Sequence, residues 1–313
     1  MKIITLFFYL FIQTWCVQAS QISADTNAVS NEITSAQNIS FDDLTIVVFS
    51  CDKYQELWAP FFEMFFKRWP SLKTTNSQVP IYLVTNALKH DDPRIISINN
   101  QNEKSWSDNA LAVLAAVKTK YVLILLEDYF FTRLDEKRLS DIFNFMKSQD
   151  VAYCQIAYGT DMETRYKAEV FPGVAEKDRY ELWRTSLNAC FWRTKDMAHT
   201  LKSGENIWAF EIAGSVRSQG LYGKFLTVFK DLPADYLNMV QQGYVNSDNL
   251  KKIQEMGITY KRAKLDLDSE HRIKLYLYYQ VLAPIKEFVK SSIQWTKSQC
   301  IVFVRKAIPS FGS

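Results

Sequence analysis

Glu127 and Asp128 stand side by side where an unbroken apolar run, Tyr121 to Leu126 (YVLILL), ends, and the aromatic residues Tyr129, Phe130 and Phe131 follow at once. Two adjacent carboxylates can hold a hard divalent cation whose charge a diphosphate then shares. The run before them is too short to span a membrane and too apolar for a half-exposed strand, so it reads as a buried strand of a parallel sheet. Open α/β sheets bind ligands just beyond the carboxyl ends of such strands. The plainer reading of the pair is a helix start, because carboxylates favour helix N-termini.

Other polar residues repeat this placement. Ser50, Asp52 and Lys53 in FSCDKY directly follow LTIVVF (Leu44 to Phe49), where a carboxylate can accept hydrogen bonds from a base or ribose, or can simply shape a turn. Asn86 ends PIYLVTN, and Trp106, Ser107 and Asp108 open a helical stretch in which Ser105 or Ser107 can serve as N-cap.

The elements that must position these groups alternate. LTIVVF reads as a strand and is followed by a helix carrying Trp58, Phe61, Phe62, Phe65 and Trp69 at three- and four-residue spacing, which makes those aromatics core. PIYLVT (80–85) and Ile95 to Ile98 read as further strands, a helix with Leu111, Leu114 and Val117 leads into YVLILL, and Leu139, Ile142, Phe143 and Met146 mark another helix before a strand over 151–157. Strand–helix alternation with helix-length connections predicts a Rossmann-like, mostly parallel central sheet flanked by helices. No GxGxxG, GxxxxGK or GxSxG motif occurs, so a dinucleotide fold, a P-loop and a hydrolase nucleophile elbow each lack their defining turn.

A 313-residue chain with 48% hydrophobic residues can bury one large domain. A net charge of +3, with aromatics scattered instead of interleaved with a basic stripe, argues against nucleic acid as a partner. Five cysteines without a CxxC pair and three histidines leave little basis for a zinc site or a His-based triad.

Taken in order, FSCDKY, PIYLVTN, SWSDNAL, KYVLILLEDYFF and NIWAFEIAGS resemble bacterial-type glycosyltransferases of the GT-A fold, in particular sets with an LLEDYF-like segment, over about Leu44 to Gly243. The resemblance implies a nucleotide-binding half, a DxD motif holding Mn²⁺ or Mg²⁺ on the diphosphate of a nucleotide-sugar donor, and a carboxylate base facing a glycan or lipid-linked acceptor. Here Leu126-Glu127-Asp128 replaces DxD, which leaves Asp128 as the metal-facing acid and Glu127 as a supporting or sugar-binding group. Ser50, Asp52, Lys53, Asn86, Trp106 and Ser107 then become candidate nucleotide contacts. For the base, GENIWAFEIAGS offers Glu205 and Glu211, and Glu211 is preferred because Trp208, Phe210 and Ile212 around it would raise its pKa toward a useful range. Trp208 reads as core more readily than as a sugar platform, as do Trp183 and Trp192, which with Asn188 could line an acceptor groove. Arg193, Arg217 and Lys224 are candidates for the diphosphate. The alternative function is a non-catalytic carbohydrate-binding or scaffold protein on the same fold.

At the ends, residues 1–19 read as a signal peptide or signal anchor, with Lys2 before an apolar stretch and Val17-Gln18-Ala19 as a cleavage-like site. This places the body outside the cytosol, the cytoplasmic face of a membrane being the alternative. Residues 20–40 are a polar linker, 41–250 the GT-A-like domain and 251–313 a helical C-terminal extension. From His271 that extension mixes apolar and basic residues, with Glu287 its lone acid, and suits either a membrane-surface helix or a helix docked on the domain with a solvated basic face.

Overall fold

The computed structural model describes residues 39–73, 78–99, 105–157, 166, 168–241 and 244–260. The expected signal segment, nearly all of the linker, and the basic tail beyond 260 lie outside these residues. Among the described residues no helix is long and apolar enough to cross a membrane.

The apolar run LTIVVF forms β1 (Leu44–Phe49), and the aromatic helix α1 (Gln55–Arg68) follows it. Then come β2 (Ile81–Thr85), β3 (Ile95–Asn99), α2 (Trp106–Ala116), β4 (Tyr121–Leu126), β5 (Tyr129–Leu134) and α3 (Glu136–Ser148). The second half contains β6 (Tyr153–Gln155), β7 (Val174–Glu176), β8 (Cys190–Arg193), α4 (Thr194–Thr200), α5 (Ile207–Ser218) and β9 (Phe225–Val228). The short β10 (Ala234–Asn238), β11 (Val240–Gln241), β12 (Tyr244–Val245) and helix α6 (Ser247–Glu255) complete the described chain.

Eight strands make one sheet in the order β3-β2-β1-β4-β8-β6-β9-β7. β1 to β4 run parallel, and β8 runs against both β4 and β6, so β6 and β9 return to the direction of β1. Six of the eight strands therefore share one direction, as the alternating pattern predicts, and β7 and β8 oppose them. Both faces are covered, which is why β1 and β4 are apolar at consecutive positions. Ile46, Val48, Leu123 and Leu125 pack under Trp58, Phe61, Phe65 and Trp69, all buried as their spacing required. On the opposite face, Val47, Val122 and Ile124 meet Ala110 and Val113 of α2, Met197 of α4 and Phe210 of α5. Each such aromatic or branched side chain contributes roughly 1.5–3 kcal/mol of transfer free energy.

The stretch after the acids is where the structure departs most from the sequence pattern. Tyr129 to Leu134 is a strand, paired antiparallel with β10 so that Tyr129 lies opposite Asn238 and Phe131 opposite Tyr236. Phe130 and Phe131 are buried in the core beneath α1. The anticipated strand over 151–157 shortens to Tyr153–Gln155.

Candidate functional site

The carboxyl ends of β1, β2 and β4 and the segment entering the antiparallel β8 all open at one edge of the sheet. Every cluster singled out in the sequence sits on one of these ends or on a helix that starts beside them. At β1 and β2, Asp52 and Asn86 are clasped together. The Asp52 carboxylate accepts the backbone N–H groups of Asn86, Ala87 and Leu88 at 3.0–3.3 Å, and the Asp52 N–H donates to Asn86 Oδ1 at 3.0 Å. These contacts occupy the oxygens that a base or ribose would otherwise meet. Lys53 is exposed, its ammonium lying 5.8 Å from the ring of neighbouring Tyr54.

Glu127 and Asp128 occupy the two-residue turn between β4 and β5, and the next helix starts only at Glu136. The helix-start reading fails, so no helix dipole stabilises their charge. Glu127 N–H donates to Phe49 O at 3.3 Å, and its buried carboxyl takes a hydrogen bond from Ser50. The Trp58 indole N–H in turn donates to Ser50 Oγ at 2.6 Å. Asp128 is tied through its carbonyl, which accepts Met239 N–H at 2.7 Å. Burial raises both carboxyls, Glu127 to about 8 with the Asp128 charge adding to it, and Asp128 to about 7. Among the described residues no cationic side chain pairs with either.

Glu211 projects from α5, whose first turn is capped by Asn206. The start of that helix is sewn to the start of α2. Ser107 Oγ accepts the Glu205 N–H at 2.9 Å, Ser107 N–H donates to Glu205 O, and Ser105, the N-cap of α2, accepts Gly204 N–H at 3.2 Å. Oε1 of Glu211 accepts Leu187 N–H at 2.7 Å and Ser186 Oγ–H at 3.2 Å, while Oε2 has no hydrogen-bond partner among the described residues. Burial raises its pKa, and those two hydrogen bonds together with the charge of Lys177 oppose the rise. Glu205 forms a two-pronged ion pair with Arg217 at 2.6 and 2.8 Å, so its carboxylate is already neutralised. Tyr129 joins the two acidic positions: its hydroxyl is pushed well up by burial and then by the charges of Asp128, Tyr236, Glu211 and Glu127. Its ring packs on Tyr236 at 4.6 Å. Tyr129 thus follows the acid pair directly in the chain, and its hydroxyl also feels the charge of Glu211.

No family model matches the sequence, and no curated protein matches it. Among solved structures the chain is similar to the mannosyltransferase PcManGT from Pyrobaculum calidifontis in complex with GDP-Man and Mn²⁺, at 8% identity over 92% of this chain and 90% of that one, TM-score 0.46. It is also similar to S. aureus TarS 1-349 in complex with UDP, at 10% identity and TM-score 0.36, and to a cytidylyltransferase from Leptospira borgpetersenii, at 8% identity and TM-score 0.40. The match spans 55% of this chain and 54% of the TarS fragment, against 72% of this chain and 99% of the cytidylyltransferase. Identities this low leave the site to be argued from its own geometry.

The remaining candidates scatter. Trp106 packs between Phe49 and Phe210 with ring centroids 5.2 and 5.3 Å away. Trp192 is core, as its surroundings predicted, whereas Trp208, expected to be buried, is 59% exposed one helical turn before Glu211. Half-buried Trp183 and Asn188 bracket the loop that carries Ser186 and Leu187. Arg193 pairs with Asp150 and Asp196 at the opposite end of the sheet, where Lys224 also lies, because β8 runs backwards relative to β4. Sequence reasoning passed over Ser186, Leu187, Tyr236 and the Trp58 N–H. The Ser in TSLN was legible as a donor, but its partner is 25 residues away and emerges only when α5 folds back on the loop.

Among the described residues no group of three or more His, Cys, Asp and Glu side chains is placed to hold a metal ion. The Glu127–Asp128 turn supplies two carboxylates without a counter-cation, a donor set that suits Mg²⁺ or Mn²⁺ when substrate phosphates complete the shell.

Proposed function

We propose that the chain is a glycosyltransferase that moves a sugar from a nucleotide-sugar donor to a glycan or lipid-linked acceptor. What supports this reading is an acid turn at the carboxyl end of β4 that meets no cation among the described residues, together with a separately held carboxylate, Glu211, on the helix whose start is sewn to that of α2. Asp128, seconded by Glu127, would hold a divalent cation, which when bound neutralises charge on the departing diphosphate. Ser50 and Trp58 fix the Glu127 carboxyl. Leu187 and Ser186 hold Oε1 of Glu211 and leave Oε2 to receive the proton of the acceptor hydroxyl. As that hydroxyl oxygen bonds to the anomeric carbon, the bond to the diphosphate breaks and its electron pair leaves with the phosphate. No covalent intermediate is required. The exposed Trp208 indole offers an apolar platform for an acceptor sugar. Asp52 and Asn86 shape the floor on which the nucleotide would lie, together with the start of α2 at Trp106 and Ser107.

The test is thermal unfolding of the purified protein against a panel of UDP-, GDP-, CMP- and dTDP-sugars, with and without Mn²⁺ or Mg²⁺, followed by assay of donor hydrolysis. A metal-dependent rise in Tm with one donor class, accompanied by slow hydrolysis, is the expected result. Stabilisation without turnover would move the protein to the non-catalytic carbohydrate-binding reading, and no response to any donor would remove both.

A further inference from the structure

The loop that holds Glu211 is itself held from beneath by a buried lysine. Trp183 and Ala189 bound this segment with φ of 60° and 36°, left-handed conformations that L side chains seldom adopt and that persist only where the surroundings impose them. On the helix side, one latch falls on each turn of α5. Arg184 Nη1 donates to Ser218 O and Oγ at 2.9 and 2.8 Å, Thr185 N–H donates to Ser215 Oγ at 3.1 Å, and Leu187 N–H donates to Glu211. On the sheet side, Lys177 at the end of β7 extends its ammonium to Trp183 O at 3.0 Å and Arg184 O at 3.4 Å. That ammonium is 3.6 Å from Glu181, with both side chains almost fully buried, and Glu181 accepts the Tyr166 hydroxyl at 2.6 Å. Lys177 also lies 5.4 Å from the ring of Tyr153, whose hydroxyl donates to Ser186 O at 2.7 Å.

We propose that Lys177 is a positioning residue for Glu211, acting through the clamped segment from Trp183 to Ala189. An ammonium can direct several donors at once, and here two reach successive carbonyls while its charge pairs with the Glu181 carboxylate. Fixing those carbonyls anchors the 183–184 and 184–185 peptides at the start of the segment, while the Tyr153 hydroxyl holds the Ser186 carbonyl whose peptide carries the Leu187 N–H. Tyr129 on β5, Tyr153 on β6 and Cys190 on β8 feel the charge of Glu211, each pushed up by burial and so uncharged near neutrality, whereas Lys177 favours the ionised carboxylate. The role rests on the reading of Glu211 as the base, but its placement does not.

Two variants separate geometry from charge. Lys177→Gln/Glu181→Gln removes the ion pair without stranding a buried carboxylate, and Lys177→Arg keeps the charge but replaces a point donor with a fork. The Glu211 carboxyl is followed by carbon-13 NMR titration, its signal assigned by loss in Glu211→Gln, and the Leu187 amide by hydrogen exchange. In the double variant the Glu211 midpoint moves to higher pH. In Lys177→Arg the midpoint stays, while Leu187 exchange speeds by about tenfold or more with the β1 and β4 amides unchanged. An unmoved midpoint in a folded double variant, or unchanged Leu187 exchange in Lys177→Arg, overturns the proposal. Should the double variant not fold, the exchange result in Lys177→Arg decides alone. If the unaltered protein transfers no sugar while these shifts appear, the glycosyltransferase reading falls and the coupling of Lys177 to Glu211 stands.

Discussion

Asp52 and Asp128 lie at the ends of adjacent strands of one sheet, yet their carboxylates are treated in opposite ways. Asp52 receives three backbone N–H groups and closes the β1 and β2 ends on each other. Asp128 is anchored by its carbonyl, meets no cation, and is raised by burial together with Glu127. A satisfied carboxylate stabilises the place where it sits, whereas a half-buried one that meets no cation keeps a charge that a ligand or a proton can relieve. The same residue type at the same edge thus serves as a brace at one strand and as a receptive site at the next.

The sharpest way to break that contrast is at the receptive site. Asp128→Asn should lower sugar transfer by on the order of a thousandfold or more and abolish the metal-dependent donor response. Glu211→Gln should lower transfer comparably while leaving the donor-induced rise in Tm intact. Steady-state kinetics beside thermal shift in both variants checks the pair, and retained turnover in either removes that residue from its role.

The brace should respond in the opposite sense, losing stability first. Asp52→Ala leaves three N–H groups without their acceptor and is expected to cost about 1–3 kcal/mol, read from urea unfolding with an unchanged m-value. A variant as stable as the original protein would show that the clasp is replaceable by water.

The smallest effect is the pH dependence of the ligand-free protein. In the unfolded chain Asp128 and Glu127 ionise near 3.8 and 4.5, whereas the folded protein keeps their protons up to about 7 and about 8. Between those limits the folded state binds more protons, so this pair makes stability fall as pH rises through the window, and the loss levels off above it. Asp128→Asn should flatten part of that slope and raise Tm at pH 8 relative to the unaltered protein. Tm measured from pH 5 to 9 for both proteins checks the sign, and parallel curves would mean that the pair is hydrated and titrates normally.

Much of this was legible before any coordinates. YVLILL, LTIVVF and the aromatic spacing of α1 declared buried strands and a covering helix, because both faces of a parallel sheet must be apolar and a helix buries one stripe. The acids at the end of YVLILL were equally visible. Tyr129 to Leu134 was harder, since an aromatic run after two carboxylates carries no period that separates a strand from a loop, and its pairing with β10 is about a hundred residues away. Trp208 was misjudged because apolar neighbours in sequence point in different directions on a helix: Phe210 turns inward and Trp208 outward.

By itself the sequence determined the alternating architecture, the apolar faces and the types of residue available at the strand ends, because periodicity and composition are local properties. The tertiary structure alone decided which carboxylates are spoken for. Asp52 finds the backbone of another strand's loop, Glu205 finds Arg217, and Glu211 finds Ser186 and Leu187, while Asp128 meets no cation among the described residues. Charge compensation depends on contacts within a few ångströms between segments far apart in sequence, and the packing of the chain brings those segments together.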